Sequence, residues 1–158
     1  KGDLVFFAAG YGRGGALLRQ VVSGDDVNVD EVYGLKNSLA NKHGGVVLYG
    51  DYLYGDSDDQ GIPFCAKLMT GEVVWKKRGS GKGSASVIAA DGCLYVRYAD
   101  GKIVLVKASP EEYKEVSGFK IPGSGEKPSW SHSVIAGGKL YLREQDKILC
   151  YSISGSKL

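Results

Sequence analysis

The sequence predicts an all-β fold made of repeated antiparallel sheets. Glycine is frequent, with 24 of 158 residues, whereas proline is scarce, with 4. The 10 tyrosines outnumber the 4 phenylalanines, which is typical of short strands joined by tight turns. Apolar residues show helical spacing only at 35–42, LKNSLANK, where one helical turn is expected as a link between repeats.

An internal repeat defines the architecture further. Three stretches share an apolar strand, a turn with Gly or Asp, a second strand containing Leu-Tyr, and an acidic turn. They are VVLYGDYLYGDSD (46–58), VIAADGCLYVRYADG (87–101) and VIAGGKLYLREQD (134–146), and KGDLVFFAAGYGRGG (1–15) is a fourth copy that enters at the turn. The turn glycines Gly2, Gly50, Gly92 and Gly138 are 48, 42 and 46 residues apart. A period in the forties with strand-type alternation is typical of propeller blades.

Each full repeat continues with a third and a fourth strand. In the second copy these are IPFCAKL (62–68) and EVVWKK (72–77), and in the third they are KIVLVKA (102–108) and YKEVSGFK (113–120). Four antiparallel strands per repeat predict a β-propeller. We expect one partial propeller domain over 1–158, divided into a partial blade 1 (1–35), blade 2 (43–78), blade 3 (84–121) and a partial blade 4 (130–154).

The two outer repeats are predicted to be incomplete. The first copy lacks its innermost strand, and the last stops after its third strand, KILCYSI. Incomplete blades leave unpaired strand edges and exposed apolar faces. The remaining blades are therefore expected from the rest of a longer polypeptide or from other copies of the chain.

Charge and motifs argue against several classes of partner. The 20 basic and 18 acidic residues are interspersed, so no nucleic-acid partner is expected. No apolar run reaches the roughly 18 residues of a membrane span, so no membrane insertion is expected. The glycine-rich stretches RGSGKGS (78–84) and GYGRGG (10–15) are interpreted as turns. A phosphate-binding loop needs Ser or Thr directly after its Lys, at the start of a helix, whereas Lys82 is followed by Gly83 and a predicted strand. The second stretch likewise lies between predicted strands.

The three cysteines do not form a metal or redox motif. Cys65, Cys93 and Cys150 are 28 and 57 residues apart, without a CxxC pair. Free cysteines are usually small buried hydrophobic residues, and we expect that role here. The odd number leaves at least one thiol without a partner in the chain, and the redox state of the three stays open.

Several stretches resemble a known repeat family. LMTGEVVW (68–75) is similar to the tryptophan-docking segment of pyrroloquinoline-quinone (PQQ) repeats, in which the indole of one blade packs on the next. KHGGVVLYGDYLYG (42–55), VKASPEEYKEV (106–116) and WSHSVIAGGKLYLREQDKILCYSI (130–153) look like the carboxy-terminal half of bacterial PQQ-like propellers, the polyvinyl-alcohol-dehydrogenase-like and outer-membrane-assembly-factor-like proteins. The resemblance implies a longer, exported protein, periplasmic or extracellular. It also implies blade docking by Trp75, with Tyr33 in the first copy and Phe119 or Val116 in the third.

The resemblance leaves the quinone chemistry open. Quinoprotein dehydrogenases of this family hold PQQ with a disulfide between adjacent cysteines, a Ca²⁺ ion and a catalytic Asp. The chain has no adjacent cysteines, and Asn28, Asn37 and Asn41 all precede the first complete blade. No catalytic residue and no cofactor is assigned, and PQQ with Ca²⁺ stays an alternative whose site would lie largely in a missing amino-terminal half.

The repeat brings candidate binding residues to one face. In a propeller, loops before the inner strands share a face with loops between the second and third strands. The predicted ligand-binding residues there are His43, His132, Trp130, Arg13 and Ser84, and the acidic turns add Asp56, Asp58, Asp59, Asp100, Glu144 and Asp146. Such groups suit a polar ligand or a cation, although Asp also favours turns by bonding its own backbone. A metal role stays open.

Two function classes follow. The first is a non-catalytic, exported binding or scaffold module that engages a protein or polysaccharide-like partner through its rim loops. The alternative is a PQQ-dependent alcohol dehydrogenase. A third possibility is that identical copies associate to close the ring.

Overall fold

The computed structural model describes residues 1–153, which form four antiparallel sheets. The first sheet contains β1 (Leu4–Ala9), β2 (Gly14–Ser23) and β3 (Asp26–Lys36), and a 3₁₀ turn follows at Asn37–Leu39. The second contains β4 (Val46–Tyr49), β5 (Tyr52–Asp56), β6 (Pro63–Lys67) and β7 (Val73–Lys76). The third contains β8 (Ala85–Ala90), β9 (Cys93–Tyr98), β10 (Lys102–Lys107) and β11 (Glu115–Lys120). The fourth contains β12 (Val134–Ala136), β13 (Lys139–Glu144) and β14 (Lys147–Ser152).

The all-β prediction is confirmed, with three or four strands in each described sheet. Strands that follow one another along the chain are neighbours in each sheet. The helical turn considered for 35–42 is present as the short 3₁₀ turn. None of the helical segments in residues 1–153 is long and apolar enough to span a membrane.

Two-residue turns join the first two strands of the last three sheets. In the third sheet the turn is Asp91-Gly92, with φ of 48° and 75°, and in the fourth it is Gly137-Gly138, with φ of 57° and 70°. Positive φ at both central residues defines the type I′ turn, whose twist matches that of the flanking strands. Glycine and aspartate therefore fix the strand register at these positions.

Consecutive sheets pack face to face. Because alternate residues of a strand point to opposite faces, one strand contributes side chains to two of these contacts. On β5, Leu53 packs in the cluster shared with the first sheet, whereas Tyr54 packs in the cluster shared with the third. On β9, Leu94 faces the second sheet and Tyr95 faces the fourth. The core is therefore divided into three apolar layers, each lying between two sheets that are adjacent in the sequence.

One aromatic residue on the last strand of each of the first three sheets contacts the following sheet. Tyr33 lies opposite Leu17 and packs on the second sheet. Trp75 donates its indole N–H at 2.9 Å to the carbonyl of Ser109, in the β10–β11 connection of the third sheet. The Phe119 ring lies 4.9 Å from that of Tyr151 in the fourth sheet. These positions are those that a blade-docking role requires, and that role remains a prediction.

The prediction of buried cysteines is correct for only part of the set. Cys65 is fully buried between the second and third sheets, and burial raises the pKa of its thiol to about 11. Cys93 is half-buried, and the prediction is wrong for Cys150, which is exposed. Cys150 pairs with Tyr141 across the fourth sheet, whereas its neighbours on β14 face the third sheet. All three are free thiols.

Candidate functional site

The candidate site lies at one edge of the four sheets, which we call the rim edge. Antiparallel strands reverse direction at each turn, so every second connection lies at the same edge. The rim edge is formed by residues 10–13, 37–45, 57–62, 77–84, 99–101, 121–133 and 145–146. These connections carry most of the candidate binding residues.

Two predicted residues form an aromatic stack on the rim edge. The imidazole of His43 and the indole of Trp130 have ring centroids 4.6 Å apart and planes inclined by 20°. His43 precedes β4 and Trp130 precedes β12, so the stack joins loops of the second and fourth sheets. Trp130 keeps 51% of its surface exposed. An indole is therefore held in place while much of it faces solvent.

Hydrogen bonds fix the imidazole of this stack. Nδ1 of His43 lies 3.1 Å from the hydroxyl of Ser84, which is buried just before β8. Nε2 of His132 lies 3.0 Å from the carbonyl oxygen of His43. A carbonyl only accepts, so this nitrogen of His132 carries the hydrogen. Four of the five predicted ligand-binding residues thus contact one another or share one neighbour.

The fifth, Arg13, does not join this cluster. It is exposed in the turn between β1 and β2, and it does not line either of the two cavities described below. Tyr11, in the same turn, lines the smaller of these cavities. The Asp58 carboxylate holds this turn by accepting the backbone N–H groups of Tyr11 at 2.9 Å and Gly12 at 3.1 Å. Tyr11 is 80% exposed, with φ of 58°.

A smaller cavity opens beside the stack, with a volume of about 380 Å³. Its lining residues are Tyr11, Lys42, His43, Asp59, Gly83, Ser84, Ala99, Pro128 and Trp130. Lys42 pairs with Asp59 at 2.8 Å, and its ammonium lies 4.4 Å from the centroid of the Tyr11 ring. The hydrogen bond between the Lys42 ammonium and the Asp59 carboxylate raises the pKa of Lys42 and lowers the pKa of Asp59, so both groups are charged near neutral pH.

A larger cavity of about 780 Å³ lies on the fourth-sheet side. Its lining residues are Gly123, Glu126, Lys127, Pro128, Ser129, Trp130, Ser131, Arg143, Glu144, Gln145 and Asp146. Trp130 and Pro128 line both cavities, whereas His43 lines only the smaller one. Trp130 thus borders two open spaces, of which the larger is the more polar.

A buried ion pair supports the floor of the larger cavity. The guanidinium of Arg97 lies 2.8 Å from the Glu144 carboxylate, and these residues are 2% and 4% exposed. Arg97 also donates to the hydroxyl of Ser129 at 2.5 Å, to the carbonyl of Ser131 at 2.7 Å and to the Ser131 hydroxyl. It thereby holds the segment that carries Trp130. The sequence interpretation missed Arg97, whose place on β9 among apolar neighbours is the signal that could have revealed it.

The expectation that Asp56 lies in an acidic turn, where it could bind a polar ligand or a cation, is wrong. Asp56 is the last residue of β5 and is fully buried. Its carboxylate accepts the backbone N–H groups of Ile62 at 2.6 Å and Ala85 at 3.0 Å. Burial raises its pKa from 3.8 to about 6, although these hydrogen bonds act in the opposite direction. Asp56 joins the second sheet to the third and is closed to ligands.

The described residues do not fit the quinone and calcium site that the resemblance implies. The buried Asn41 amide donates to the Asp56 carbonyl at 2.9 Å, and the Asn37 amide donates to the Gly12 carbonyl at 2.5 Å. Asp56 and Asp58 are engaged by backbone N–H groups. Within residues 1–153, no group of three or more His, Cys, Asp or Glu side chains is arranged to hold a metal ion.

Comparison with known proteins gives no match, either to a protein-family model or to a curated protein. The functional interpretation therefore rests on the geometry of the rim edge and on the sequence.

Proposed function

We propose that the chain is part of a β-propeller of PQQ-type repeats that works as a non-catalytic binding module. Face-to-face packing of consecutive sheets supports this, as do the aromatic residues Tyr33, Trp75 and Phe119 between them. The remaining blades come from the rest of a longer polypeptide or from other copies. Export to the periplasm or beyond is part of the proposal and follows from the sequence resemblance alone.

The observation that carries the binding role is the half-exposed Trp130 stacked on His43 between two cavities. Exposing an indole forgoes the free energy of burying it, of the order of 1.5–3 kcal/mol for a large apolar side chain. Here the indole stacks on an imidazole whose Nδ1 is hydrogen-bonded to Ser84, and His132 bonds to the backbone carbonyl of the same His43. An exposed aromatic beside cavities that also carry polar groups suits ligand recognition.

The partner class is a polysaccharide-like chain or a protein. Both classes use aromatic side chains as contact surfaces with polar groups around them. The dehydrogenase alternative places its cofactor site largely in a missing amino-terminal half, and no contact among the described residues favours it.

A two-part binding screen tests the proposal. The purified chain is applied to a glycan microarray and used to select from a random dodecapeptide phage library. We expect at least one sugar or peptide ligand whose binding is lost in Trp130→Ala. The matched control is Met69→Ala, since Met69 is 48% exposed but lies in the β6–β7 turn at the opposite edge.

A parallel assay addresses the enzyme alternative. Dye reduction is followed with primary and secondary alcohols after incubation with PQQ and Ca²⁺. Alcohol-dependent reduction of the dye would count against a non-catalytic module. Ligand binding that survives Trp130→Ala would show that the rim edge is not the binding surface.

A further inference from the structure

We infer that the ligand of the rim edge is a neutral polysaccharide chain that crosses Trp130 and places sugar units in both cavities. This inference rests on the proposed binding function and names the class of ligand. It follows from three features of the site: its continuity across the indole, the accessible indole face, and its charge balance.

The two cavities form one path. Trp130 and Pro128 line both, so a chain leaving one cavity passes directly over these residues into the other. The volumes of about 380 and 780 Å³ fall in the range of roughly 300–1,000 Å³ that holds a drug-sized ligand. Each cavity therefore has room for at least one sugar ring, and a linear oligosaccharide can occupy both.

The indole offers one face to the ligand. His43 stacks on one side of Trp130 and lines only the smaller cavity. The larger cavity is lined by Trp130 without His43, so the imidazole does not separate the indole from this cavity. A pyranose ring has an apolar C–H face that packs on an indole and hydroxyl groups at its edge. Gln145 of the larger cavity supplies an exposed side-chain amide for such hydroxyls.

The charges of the site balance. Two cations, Lys127 and Arg143, and the carboxylates of Glu126 and Asp146 line the larger cavity. The remaining carboxylate, Glu144, is already paired with buried Arg97. In the smaller cavity the one cation pairs with the one carboxylate at 2.8 Å. A polyanion would gain no net attraction here, and nucleic-acid binding in particular depends on many phosphate contacts with cations.

The closing experiment measures how affinity depends on chain length and charge. Isothermal titration calorimetry is carried out with gluco-, manno- and xylo-hexasaccharides, with the matching monosaccharides, and with hexagalacturonate as the anionic probe. We expect saturable binding of at least one neutral hexasaccharide, at least 100-fold weaker binding of its monosaccharide, and no detectable binding of hexagalacturonate.

Variants in each cavity test the path across the indole. Tyr11→Ala alters the smaller cavity, and Gln145→Ala alters the larger one. Both side chains are exposed, so the fold should be kept, and circular dichroism checks this. Each change should weaken hexasaccharide binding about 10-fold, and Trp130→Ala should abolish it. The Met69→Ala control should bind as the wild type does.

The inference is overturned if no neutral hexasaccharide binds, if the monosaccharide binds as tightly, or if only hexagalacturonate binds. A Trp130-dependent peptide ligand without any sugar ligand would also overturn it, while leaving the proposed binding module intact. Failure to find a Trp130-dependent ligand of either class would refute both.

Discussion

Replacing Arg97 by methionine tests how the third sheet is joined to the fourth. Arg97 makes four hydrogen bonds to groups that precede or belong to the fourth sheet, and it is 2% exposed. The substitution keeps an unbranched side chain but leaves the Glu144 carboxylate, 4% exposed, without its cation. Removing one partner of a buried ion pair costs about 3–5 kcal/mol, and we expect the free energy of unfolding to fall by that amount.

Urea unfolding at pH 7, followed by circular dichroism and tryptophan fluorescence, measures the change. The double variant Arg97→Met with Glu144→Met should be about 2 kcal/mol more stable than the single variant, because it leaves no unpaired buried charge. Where the single variant does not fold, Glu144→Gln keeps the shape of the side chain and should cost about 1.5–3 kcal/mol. A loss below about 1 kcal/mol for Arg97→Met, or a double variant no more stable than the single one, would refute the reasoning.

Three further predictions concern the interface between the second and third sheets. Burial raises the pKa of Asp56 from 3.8 to about 6, so between these pH values the folded chain keeps a proton that the unfolded chain has released. The contribution of Asp56 to the free energy of unfolding should therefore fall by up to about 3 kcal/mol as the pH rises from about 4 to about 7. Urea unfolding measures this dependence, which should be absent in Asp56→Asn. Trp75→Ala should lower the free energy of unfolding by about 3 kcal/mol, and Trp75→Phe by about 1 kcal/mol, because the phenyl ring keeps the packing but loses the hydrogen bond to Ser109. Thermal unfolding measures both losses, and equal losses would contradict a packing role. Gly44→Ala should lower the free energy of unfolding by at least about 2 kcal/mol, because a Cβ there would lie 1.7 Å from the Ala85 carbonyl oxygen. An unchanged midpoint of urea unfolding would contradict this.

Much of the fold follows from local sequence patterns. The Leu-Tyr strands and the glycine turns locate the β4–β5, β8–β9 and β12–β13 hairpins, because strand alternation and positive φ are properties of a few adjacent residues. The repeat then predicts which loops lie at the same edge. It places His43, Ser84 and Trp130 in loops that meet at the rim edge.

The pairings within the site could not be predicted in the same way. Arg13 and Tyr11 belong to one turn, yet only Tyr11 lines a described cavity, because Asp58 binds the backbone N–H groups of Tyr11 and Gly12. The contact of Arg97 with Glu144 depends on how two sheets pack, which no local pattern specifies. An aspartate that ends a strand looks like a turn residue in the sequence, and only the backbone of the next sheet shows that Asp56 is buried.

Asp56 and Arg97 together indicate how the order of the sheets is specified. Each follows the Leu-Tyr pair of its strand by the same number of residues, Leu53-Tyr54-Gly55-Asp56 and Leu94-Tyr95-Val96-Arg97. Each is buried and bonds to the following sheet, but Asp56 needs hydrogen-bond donors there and Arg97 needs acceptors. Exchanging the neighbours would bury a charge without a partner, at a cost of several kcal/mol. Apolar packing holds the sheets together, and the Arg97–Glu144 pair makes the fourth sheet a better neighbour for the third than a sheet without that carboxylate.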